Sequence, residues 1–296
     1  MKKMHKSGFV NIIGSPNVGK STLMNVLVGE KLSIITSKAQ TTRHRILGIV
    51  NDEEHQIVFS DTPGIVDPAY KMHEGMMSFI KTAIGDADIL LVMVEVRERK
   101  FKDEEILARL QKTSTPIILL INKIDEIDQS LLEEKVNFWQ EQLPKAKVFP
   151  ISALHQFNVD QVLLEIKAAL PEAPPFYDKD QLTDKPEKFF VSEIIREKIL
   201  MNYKKEIPYS CEVEIEEFKE EPNIIRIRAV IMVIRDSQKG IIIGHQGKEL
   251  KRVGTKARID MEKFFDKKIF LQLFVKVNKD WRNNEAQLKR FGYLNK

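Results

Sequence analysis

The chain has a single cysteine, Cys211, among its 296 residues. One thiol cannot form an internal disulfide, so the sequence is typical of a reducing compartment, and the strand-like surroundings of Cys211 predict a packed side chain. No stretch approaches the ~20 consecutive apolar residues that a membrane-spanning helix needs. The basic start MKKMHK precedes only a short apolar run, which Asn11 interrupts, and this argues against a signal peptide. We therefore expect a cytoplasmic protein.

The sequence also lacks a strong overall charge, because its formal net charge is only +4. This value conceals an asymmetry: residues 185–296 carry 25 Lys and Arg against 17 Asp and Glu, and the first 184 residues carry 22 against 26. Residues 235–296 alone have 16 basic and 7 acidic side chains. A basic C-terminal third suggests a polyanionic partner, although a solvated basic surface would explain the charge equally well.

The first part of the chain alternates strand and helix patterns and predicts an α/β domain. Strands FVNIIG, ILLVMV, PIILLIN and KVFPIS alternate with helices near 103–112, 131–142 and 159–170, and RILGIV with QIVFSD predicts a hairpin. A βαβ series of this kind favours a mostly parallel sheet with helices on both faces. We place this domain at residues 1–172.

The stretch PEAPPFYDKDQLTDKP interrupts the pattern with four prolines and several charges. Such a composition predicts a semi-rigid, solvated connector, which we place at residues 173–184. Residues 185–296 then follow the order α-β-β-α-α-β with a terminal helix from about Trp281. That order predicts a second, smaller α+β domain.

The segment GSPNVGKS follows a predicted strand and opens a helix, which is the context of the phosphate-loop pattern G-x-x-x-x-G-K-[ST]. Two glycines let the backbone wrap the phosphates, Lys20 reaches the β and γ oxygens, and the Ser21 hydroxyl ligates Mg²⁺. The motif predicts nucleotide-binding residues Gly14, Ser15, Pro16, Asn17, Val18, Gly19, Lys20, Ser21 and Thr22.

Two later motifs predict recognition of guanine. In NKID, Asp125 can accept hydrogen bonds from guanine N1–H and N2–H₂, donors that adenine lacks, while the stem of Lys123 lies along the base. In SAL, the N–H of Ala153 is placed for guanine O6. The predicted residues are Asn122, Lys123, Ile124, Asp125, Ser152, Ala153 and Leu154.

Between these motifs, DTPG and the polar loop TSKAQTTRHR predict two nucleotide-sensing switches. Asp61 can hold Mg²⁺ through a water, and the Gly64 N–H can sense the γ-phosphate. In the loop, Thr42, or Thr41 as the second choice, would complete the Mg²⁺ coordination. Switch I covers residues 36–42 and switch II residues 64–77, and the DTPG motif adds nucleotide-binding residues Asp61, Thr62, Pro63, Gly64 and Ile65.

In order and over the whole first domain, these motifs resemble those of the translation-factor-type GTPases. Ile65 stands where a Ras-like protein has the glutamine that orients the attacking water, so we expect slow intrinsic hydrolysis that needs stimulation, for example by RNA or K⁺. The resemblance implies that Asn17 matches an asparagine that helps seat a K⁺ in potassium-stimulated relatives. K⁺ is therefore a hypothesis, whereas Mg²⁺ is expected.

The segment IIIGHQGKEL contains a second glycine pair inside the basic part of the chain. In form, GHQG is the G-x-x-G loop of a type II KH domain, whose backbone N–H groups approach about four single-stranded nucleotides. Ile241–Ile243 and Leu250 would form an apolar floor under the bases. The predicted RNA-binding residues are Gly244, His245, Gln246, Gly247, Lys248, Lys251 and Arg252.

A GTPase domain followed by a type II KH domain is similar to the Era-like family of bacterial GTPases over nearly the whole chain. The resemblance implies a monomer that binds GTP or GDP and the 3′ end of 16S rRNA and acts in 30S subunit maturation. In some members it implies peripheral association with the inner membrane. We expect GTP to order the switches and free the KH groove for RNA. Two alternatives remain open: a phosphate-loop kinase, and an RNA-binding scaffold with structural GTP.

Overall fold

The computed structural model describes residues 4–294, so the outermost residues of both predicted domains lie outside the described part. The chain divides into two compact units. The first holds the residues up to Ala69 and His73–Asp184, and the second holds Tyr70–Met72 and the residues from Lys185 onward. Within residues 4–294, no helix combines the length and the apolar character needed to cross a bilayer.

In the first unit, six strands form one sheet in the order β2-β3-β1-β4-β5-β6. Only β2 is antiparallel, to β3, which confirms the predicted hairpin, and the other pairs are parallel. The carboxyl ends of parallel strands therefore meet at one edge of the sheet, where ligands bind in such folds. The strands are β1 (Lys6–Gly14), β2 (Ile46–Asn51), β3 (His55–Asp61), β4 (Ile89–Glu95), β5 (Ile117–Asn122) and β6 (Lys147–Pro150).

The central strands are almost continuously apolar and buried because they have helices on both faces. The helices are α1 (Lys20–Val28), α2 (Lys71–Gly85), α3 (Glu104–Lys112), α4 (Gln129–Gln142) and α5 (Val159–Ala169). The sequence patterns did not predict α2, although Met76, Ile80 and Ala83 have helical spacing and are fully buried. The mostly parallel α/β prediction is confirmed.

The predicted connector, residues 173–184, has no buried residue, in line with its predicted solvation, but it belongs to the first unit instead of forming a separate segment. The N–H of Ile49 in β2 donates to the carbonyl of Leu182 at 2.8 Å, and the Thr183 hydroxyl donates to the Leu47 carbonyl at 2.7 Å. Farther along, the Gln56 side chain donates to the Tyr177 carbonyl at 2.8 Å. The physical reason is that β2 is an edge strand, whose outer backbone groups need partners.

The second unit has a three-stranded sheet in the order β7-β8-β9, with β7 antiparallel and β9 parallel to β8. The acidic strand β7 is an edge strand, as its charge predicts. The succession of helices and strands in this unit confirms the predicted order α-β-β-α-α-β. The elements are α6 (Glu187–Asn202), β7 (Glu212–Glu220), β8 (Ile224–Val233), α7 (Asp236–Ile243), α8 (Lys248–Phe265), β9 (Lys268–Val277) and α9 (Glu285–Arg290).

The core of this unit joins one face of the sheet to α6, α7 and α8. Alternate residues of β8 from Ile225 to Val233 point into it together with Ile195 and Val253, and Cys211 is fully buried there, as predicted. The final helix begins at Glu285 and not near Trp281. Trp281 is instead fully buried and donates its Nε1 to the Ser210 carbonyl at 3.2 Å.

Candidate nucleotide site and candidate RNA groove

A pocket of about 620 Å³ lies in the first unit at the carboxyl ends of the parallel strands. This volume is within the usual range for small-molecule sites. The phosphate loop and switch I line one end, and the NKID and SAL segments line the other. The predicted residues that line it are Pro16, Asn17, Gly19, Lys20, Ser21, Thr22, Thr41, Thr42, Thr62, Gly64, Asn122, Lys123, Asp125, Ser152, Ala153 and Leu154.

The phosphate loop needs glycine at position 19 for two reasons. Gly19 has φ 104°, a left-handed conformation that other residues rarely adopt, and a Cβ there would lie 2.3 Å from the Asn122 Nδ2. The loop leads directly into α1, which begins at Lys20. The free N–H groups of this first helical turn and the helix dipole favour an anion at this end of the pocket.

Lys20 supplies a buried positive charge beside this helix start. Its side-chain Nζ donates to the carbonyl oxygens of Gly14 at 3.0 Å and Ser15 at 2.8 Å. Burial lowers the pKa of Lys20 to about 8, although the nearby carboxylates of Asp61 and Glu98 act to raise it. Its hydrogen-bonded partners are neutral carbonyls. A charged phosphate oxygen would therefore form a stronger hydrogen bond with this ammonium than they do.

Three oxygen-bearing side chains converge next to Lys20. The Ser21 Oγ donates to the Asp61 Oδ2 at 2.7 Å and lies 2.8 Å from the Thr42 Oγ1, which is 3.3 Å from the same carboxylate oxygen. The Asp61 Oδ1 is buried without a hydrogen-bond partner in the described structure, and burial raises the pKa of this carboxyl. A hard divalent cation prefers such oxygen ligands, so these residues fit Mg²⁺.

The two adjacent threonines of switch I differ in their surroundings. Thr41 Oγ1 donates to the Lys38 carbonyl at 2.6 Å and lies 2.6 Å from Thr36 Oγ1, so it is engaged within its own loop. Thr42, by contrast, faces Ser21 and Asp61. The geometry therefore brings Thr42, the threonine favoured by the sequence, to the candidate cation site.

At the other end of the pocket, Asn122 joins three segments. Its Nδ2 donates to the Val18 carbonyl at 2.7 Å, and its Oδ1 accepts from the Ala153 N–H at 2.9 Å. The Ala153 N–H is thus engaged by Asn122, which differs from the predicted free donor for guanine O6. A hydrogen bond from the Ser152 hydroxyl lowers the pKa of Asp125, which remains an ionised acceptor at the pocket wall.

Seven predicted nucleotide-binding residues do not line the pocket: Gly14, Ser15, Val18, Asp61, Pro63, Ile65 and Ile124. The Ser15 and Val18 backbones act indirectly, by accepting from Lys20 and Asn122. The Ile65 side chain is only 2% exposed and packs in the core, while its N–H donates to the Gly14 carbonyl at 3.3 Å. Ile65 turns away from the polar pocket because its side chain is apolar and packs in the core.

Four lining residues belong to no predicted motif: Ile34, Ile35, Glu95 and Glu126. Glu95 pairs with Lys123, and Glu126 lies 3.2 Å from the Arg97 guanidinium. The position of Glu95 could have been anticipated because it ends β4, next to Asn122 at the end of β5. The position of Ile34 and Ile35 depends on how the loop after α1 folds back, for which the sequence has no clear signal.

In the second unit, the GHQG loop has the backbone of a tight turn. Gly244 has φ 70°, and a Cβ there would lie 2.6 Å from Glu249 Cγ. Gln246 and Gly247 also have positive φ, and the Gly247 N–H donates to the Gly244 carbonyl at 3.2 Å. Beside the loop is a groove of about 320 Å³ between α8 and β9. Its lining residues are Gly247, Leu250, Lys251, Gly254, Thr255, Arg258, Leu271 and Leu273.

Of the predicted RNA-binding residues, Gly247 and Lys251 line this groove, whereas Gly244, His245, Gln246, Lys248 and Arg252 do not. The predicted apolar floor also needs correction, because Ile242 is fully buried in the core and Ile241 is exposed. Leu250 has its predicted place, and Leu271 and Leu273 complete the floor. The alternation of β9 could have indicated these two leucines, since both lie on the same face of the strand.

Two family models match the chain, one in each unit. A model described as a 50S ribosome-binding GTPase matches residues 9–123, and a KH domain model matches residues 206–282. Together with the phosphate-loop pocket and the turn at GHQG, these matches define a GTPase that carries a KH domain.

Similar proteins narrow the class to one family. The chain is 45% identical over 292 residues to the GTPase Era of Staphylococcus haemolyticus (strain JCSC1435), and the match covers 98% of each protein. The GTPase Era of Staphylococcus epidermidis has the same identity and coverage. This protein therefore belongs to the Era family of GTPases.

Two solved structures support the same assignment. A crystal structure of Era in complex with MgGDPNP and nucleotides 1506–1542 of 16S ribosomal RNA matches with a TM-score of 0.94 and 39% identity, over 98% of this chain and 99% of that one. A variant of Aquifex aeolicus Era bound to GDP and AlF4⁻ matches with a TM-score of 0.93 and 39% identity, over 97% of this chain and 99% of that one.

Proposed function

We propose that this protein is a GTP-dependent switch that binds single-stranded RNA near the 3′ end of 16S rRNA and acts in assembly of the 30S subunit. The observation that carries the proposal is the pairing of two features on one chain. The pocket has a cationic end at Lys20 and a guanine-reading carboxylate at Asp125, and the groove beside GHQG suits a nucleic-acid strand. An Era structure that contains both ligand types supports it.

In the proposed reaction, each end of the pocket has a separate task. Asp125 accepts from the guanine ring and fixes the base, while the start of α1 and Lys20 hold the phosphates and stabilise the charge that develops on them. Ser21, Thr42 and Asp61 would hold Mg²⁺, which neutralises phosphate charge when it is bound. Since Ile65 is buried and apolar, this chain has no side chain at that position to orient water. We therefore expect slow intrinsic hydrolysis.

K⁺ is the proposed activator within the phosphate site. Asn17 lines the pocket, and its Nδ2 donates to the Ser37 carbonyl at 3.2 Å, so its Oδ1 is available as a hard oxygen ligand. We expect GTP hydrolysis in K⁺ to exceed that in Na⁺ by about tenfold, and Asn17→Ala to remove the difference. Phosphate release at constant ionic strength measures both rates. Equal rates in the two salts would contradict K⁺ activation.

The KH groove is the proposed site for RNA. Lys251 and Arg258 supply cations for the sugar–phosphate backbone, and Leu250, Leu271 and Leu273 supply an apolar floor for bases. Gly247 allows close approach, because nothing lies within 4 Å of where its Cβ would be. We further propose that RNA bound in this groove stimulates GTP hydrolysis.

We expect RNA affinity to depend on the bound nucleotide. A short single-stranded RNA from the 16S rRNA 3′ end should bind more tightly with a non-hydrolysable GTP analogue than with GDP, by a factor of ~5–150 if the coupling is of ordinary size. Fluorescence anisotropy at fixed salt measures the two dissociation constants. By reciprocity, RNA should favour the analogue over GDP by the same factor.

The matched controls for this experiment are Gly247→Asp and Gly247→Ala. Both place a side chain at φ 76°, which strains alanine at least as much as aspartate, but only aspartate adds a negative charge that repels phosphate. Gly247→Asp should lose at least about tenfold in RNA affinity and Gly247→Ala much less. Equal affinity with analogue and GDP would make the two units independent modules. No RNA binding at all would remove the RNA part of the proposal.

Two other functions make different predictions for the same protein. A phosphate-loop kinase would bind ATP as well as GTP, which the carboxylate of Asp125 disfavours. A scaffold with structural GTP would not hydrolyse GTP even with RNA, and this contradicts membership of a GTPase family.

We further propose a monomer located in the cytoplasm, with peripheral association at the inner membrane, which cell fractionation would test.

A further inference from the structure

The sheet of the second unit has two faces, and one of them has an open aromatic patch. Phe270 and Phe274 of β9 are 44% and 40% exposed, on the face opposite α6, α7 and α8. On the neighbouring strand β8, Arg226 pairs with Phe270 and lies on the same face of the sheet. Arg228 lies on this face too, two residues farther along β8. We call these four residues, Arg226, Arg228, Phe270 and Phe274, the outer patch.

Each arginine of the outer patch lies over a phenylalanine ring. The Arg226 guanidinium carbon is 5.5 Å from the ring centroid of Phe270, and that of Arg228 is 4.8 Å from the ring centroid of Phe274. A guanidinium held in this way presents a planar cation to solvent, and such a plane can stack on a nucleic-acid base. The two arginines are two residues apart on one strand, hence ~6.6 Å apart along it.

Carboxylates next to the outer patch hold the arginines by one edge only. Glu221 lies 3.3 Å from Arg226 Nε, and Glu216 lies 3.0 Å from Arg228 Nε and also 2.8 Å from the Lys276 Nζ. These contacts reduce the net charge of the patch. They also orient each guanidinium through Nε, while both arginine side chains remain 47% exposed.

The outer patch is continuous with the proposed RNA groove through β9. Leu271 and Leu273 of this strand line the groove, whereas Phe270 and Phe274 alternate with them on the opposite face. Because β9 is an edge strand, a chain that leaves the groove can pass over its free edge and reach the patch. A G-x-x-G loop generally clamps about four nucleotides, which is far fewer than the RNA segment, nucleotides 1506–1542, in the similar Era structure.

We propose that the outer patch is a second RNA-contact surface, on which bases of a strand leaving the KH groove stack on the paired arginine and phenylalanine side chains. This inference rests on the proposed RNA-binding function. It assigns single-stranded RNA as the occupant because stacked planar cations suit bases and phosphates, and because the patch adjoins the groove.

The test compares RNAs of different length on the full chain. A short single-stranded RNA that fills the groove is compared with the same RNA extended by several nucleotides at its 5′ or its 3′ end. In the wild-type protein, one extension should raise the affinity by at least about tenfold. The double variants Phe270→Ala with Phe274→Ala, and Arg226→Gln with Arg228→Gln, should lose this gain and bind the short RNA within about twofold of wild type.

The matched control removes two exposed basic charges elsewhere, through Lys204→Gln with Lys205→Gln, and should keep the gain from extension. For the extended RNA, the two arginine substitutions should also reduce the salt dependence of the binding affinity. The reduction should correspond to the loss of about one to two phosphate contacts. If the short RNA binds but neither extension adds affinity, or if the double variants keep the gain, the inference is overturned. Failure of the short RNA to bind, with no effect of Gly247→Asp, would overturn the proposed function and this inference with it.

Discussion

Replacing Asp125 by asparagine should convert the site from guanine to xanthine nucleotides. The carboxylate accepts from two ring donors of guanine, and an asparagine would turn one of these contacts into a clash of two N–H donors. Each hydrogen bond to a charged group contributes about 1.5–3 kcal/mol, so GTP affinity should fall by at least ~10²-fold. Xanthine has a carbonyl where guanine has the amino group, so the asparagine N–H can donate to it. Titration with fluorescent GTP and XTP measures the exchange.

The control for this prediction is Asp128→Asn, three residues farther along the chain. Asp128 caps α4 by accepting from the Leu131 N–H at 3.0 Å and does not line the pocket. Asparagine caps helices as well as aspartate, so the fold should be unaffected. GTP affinity should therefore stay within about twofold of wild type. If Asp125→Asn kept full GTP affinity, or gained no XTP binding, the assignment of Asp125 to the base would be wrong.

Because Asp125 and Lys20 act at opposite ends of the pocket, the Asp125→Asn variant should hydrolyse XTP at the wild-type GTP rate. The hydroxyl and carboxylate contacts of Ser21, Thr42 and Asp61 involve no residue of the base end. This expectation separates binding specificity from chemistry, since a loss of turnover at saturating XTP would indicate that the two ends are coupled.

The sequence was most informative where a local motif and its flanking elements agree. GSPNVGKS lies between β1 and α1, and NKID follows β5, so their motifs alone indicated which end of the sheet has the pocket. Parallel pairing then brings these segments together without further information. The order of the second unit was predictable for a similar reason, because its apolar alternation and its glycine pair mark strands and turns locally.

The sequence was least informative where a contact joins segments that are distant along the chain. The Ala153 N–H is one example, since its partner Asn122 lies on another strand and competes with the predicted guanine contact. The packing of residues 173–184 on β2 is another, because charge and proline content predicted only solvation. The alternation of β9 indicates that Leu271 and Leu273 share one face, but that this face forms a groove with α8 depends on the packing of two separate segments.

Lys20→Met should lower the nucleotide affinity without lowering the stability of the nucleotide-free protein. Removing the ammonium deletes a charge-assisted contact to phosphate, so GTP affinity should fall by at least ~10²-fold. Methionine has a similar volume and no charge to desolvate, so the free energy of unfolding without nucleotide should not decrease. Isothermal titration with GTP and urea unfolding at pH 7 measure the two effects. Lys112→Met, at an exposed position on α3, should change neither.

The pH dependence of stability gives the sharper test of the same residue. With a pKa of about 8 in the folded protein and 10.5 as its ordinary value, Lys20 binds fewer protons when folded than when unfolded between these pH values. Stability therefore rises with pH in that window, by up to ~1.4 kcal/mol per pH unit, because the ammonium no longer has to be buried. Relative to Lys20→Met, the wild-type protein should gain on the order of 3 kcal/mol between pH 8 and 10.5. If the free energies of unfolding of the two proteins changed in parallel with pH, Lys20 would have its ordinary pKa in the folded protein. Burial of its ammonium would then not destabilise the nucleotide-free fold.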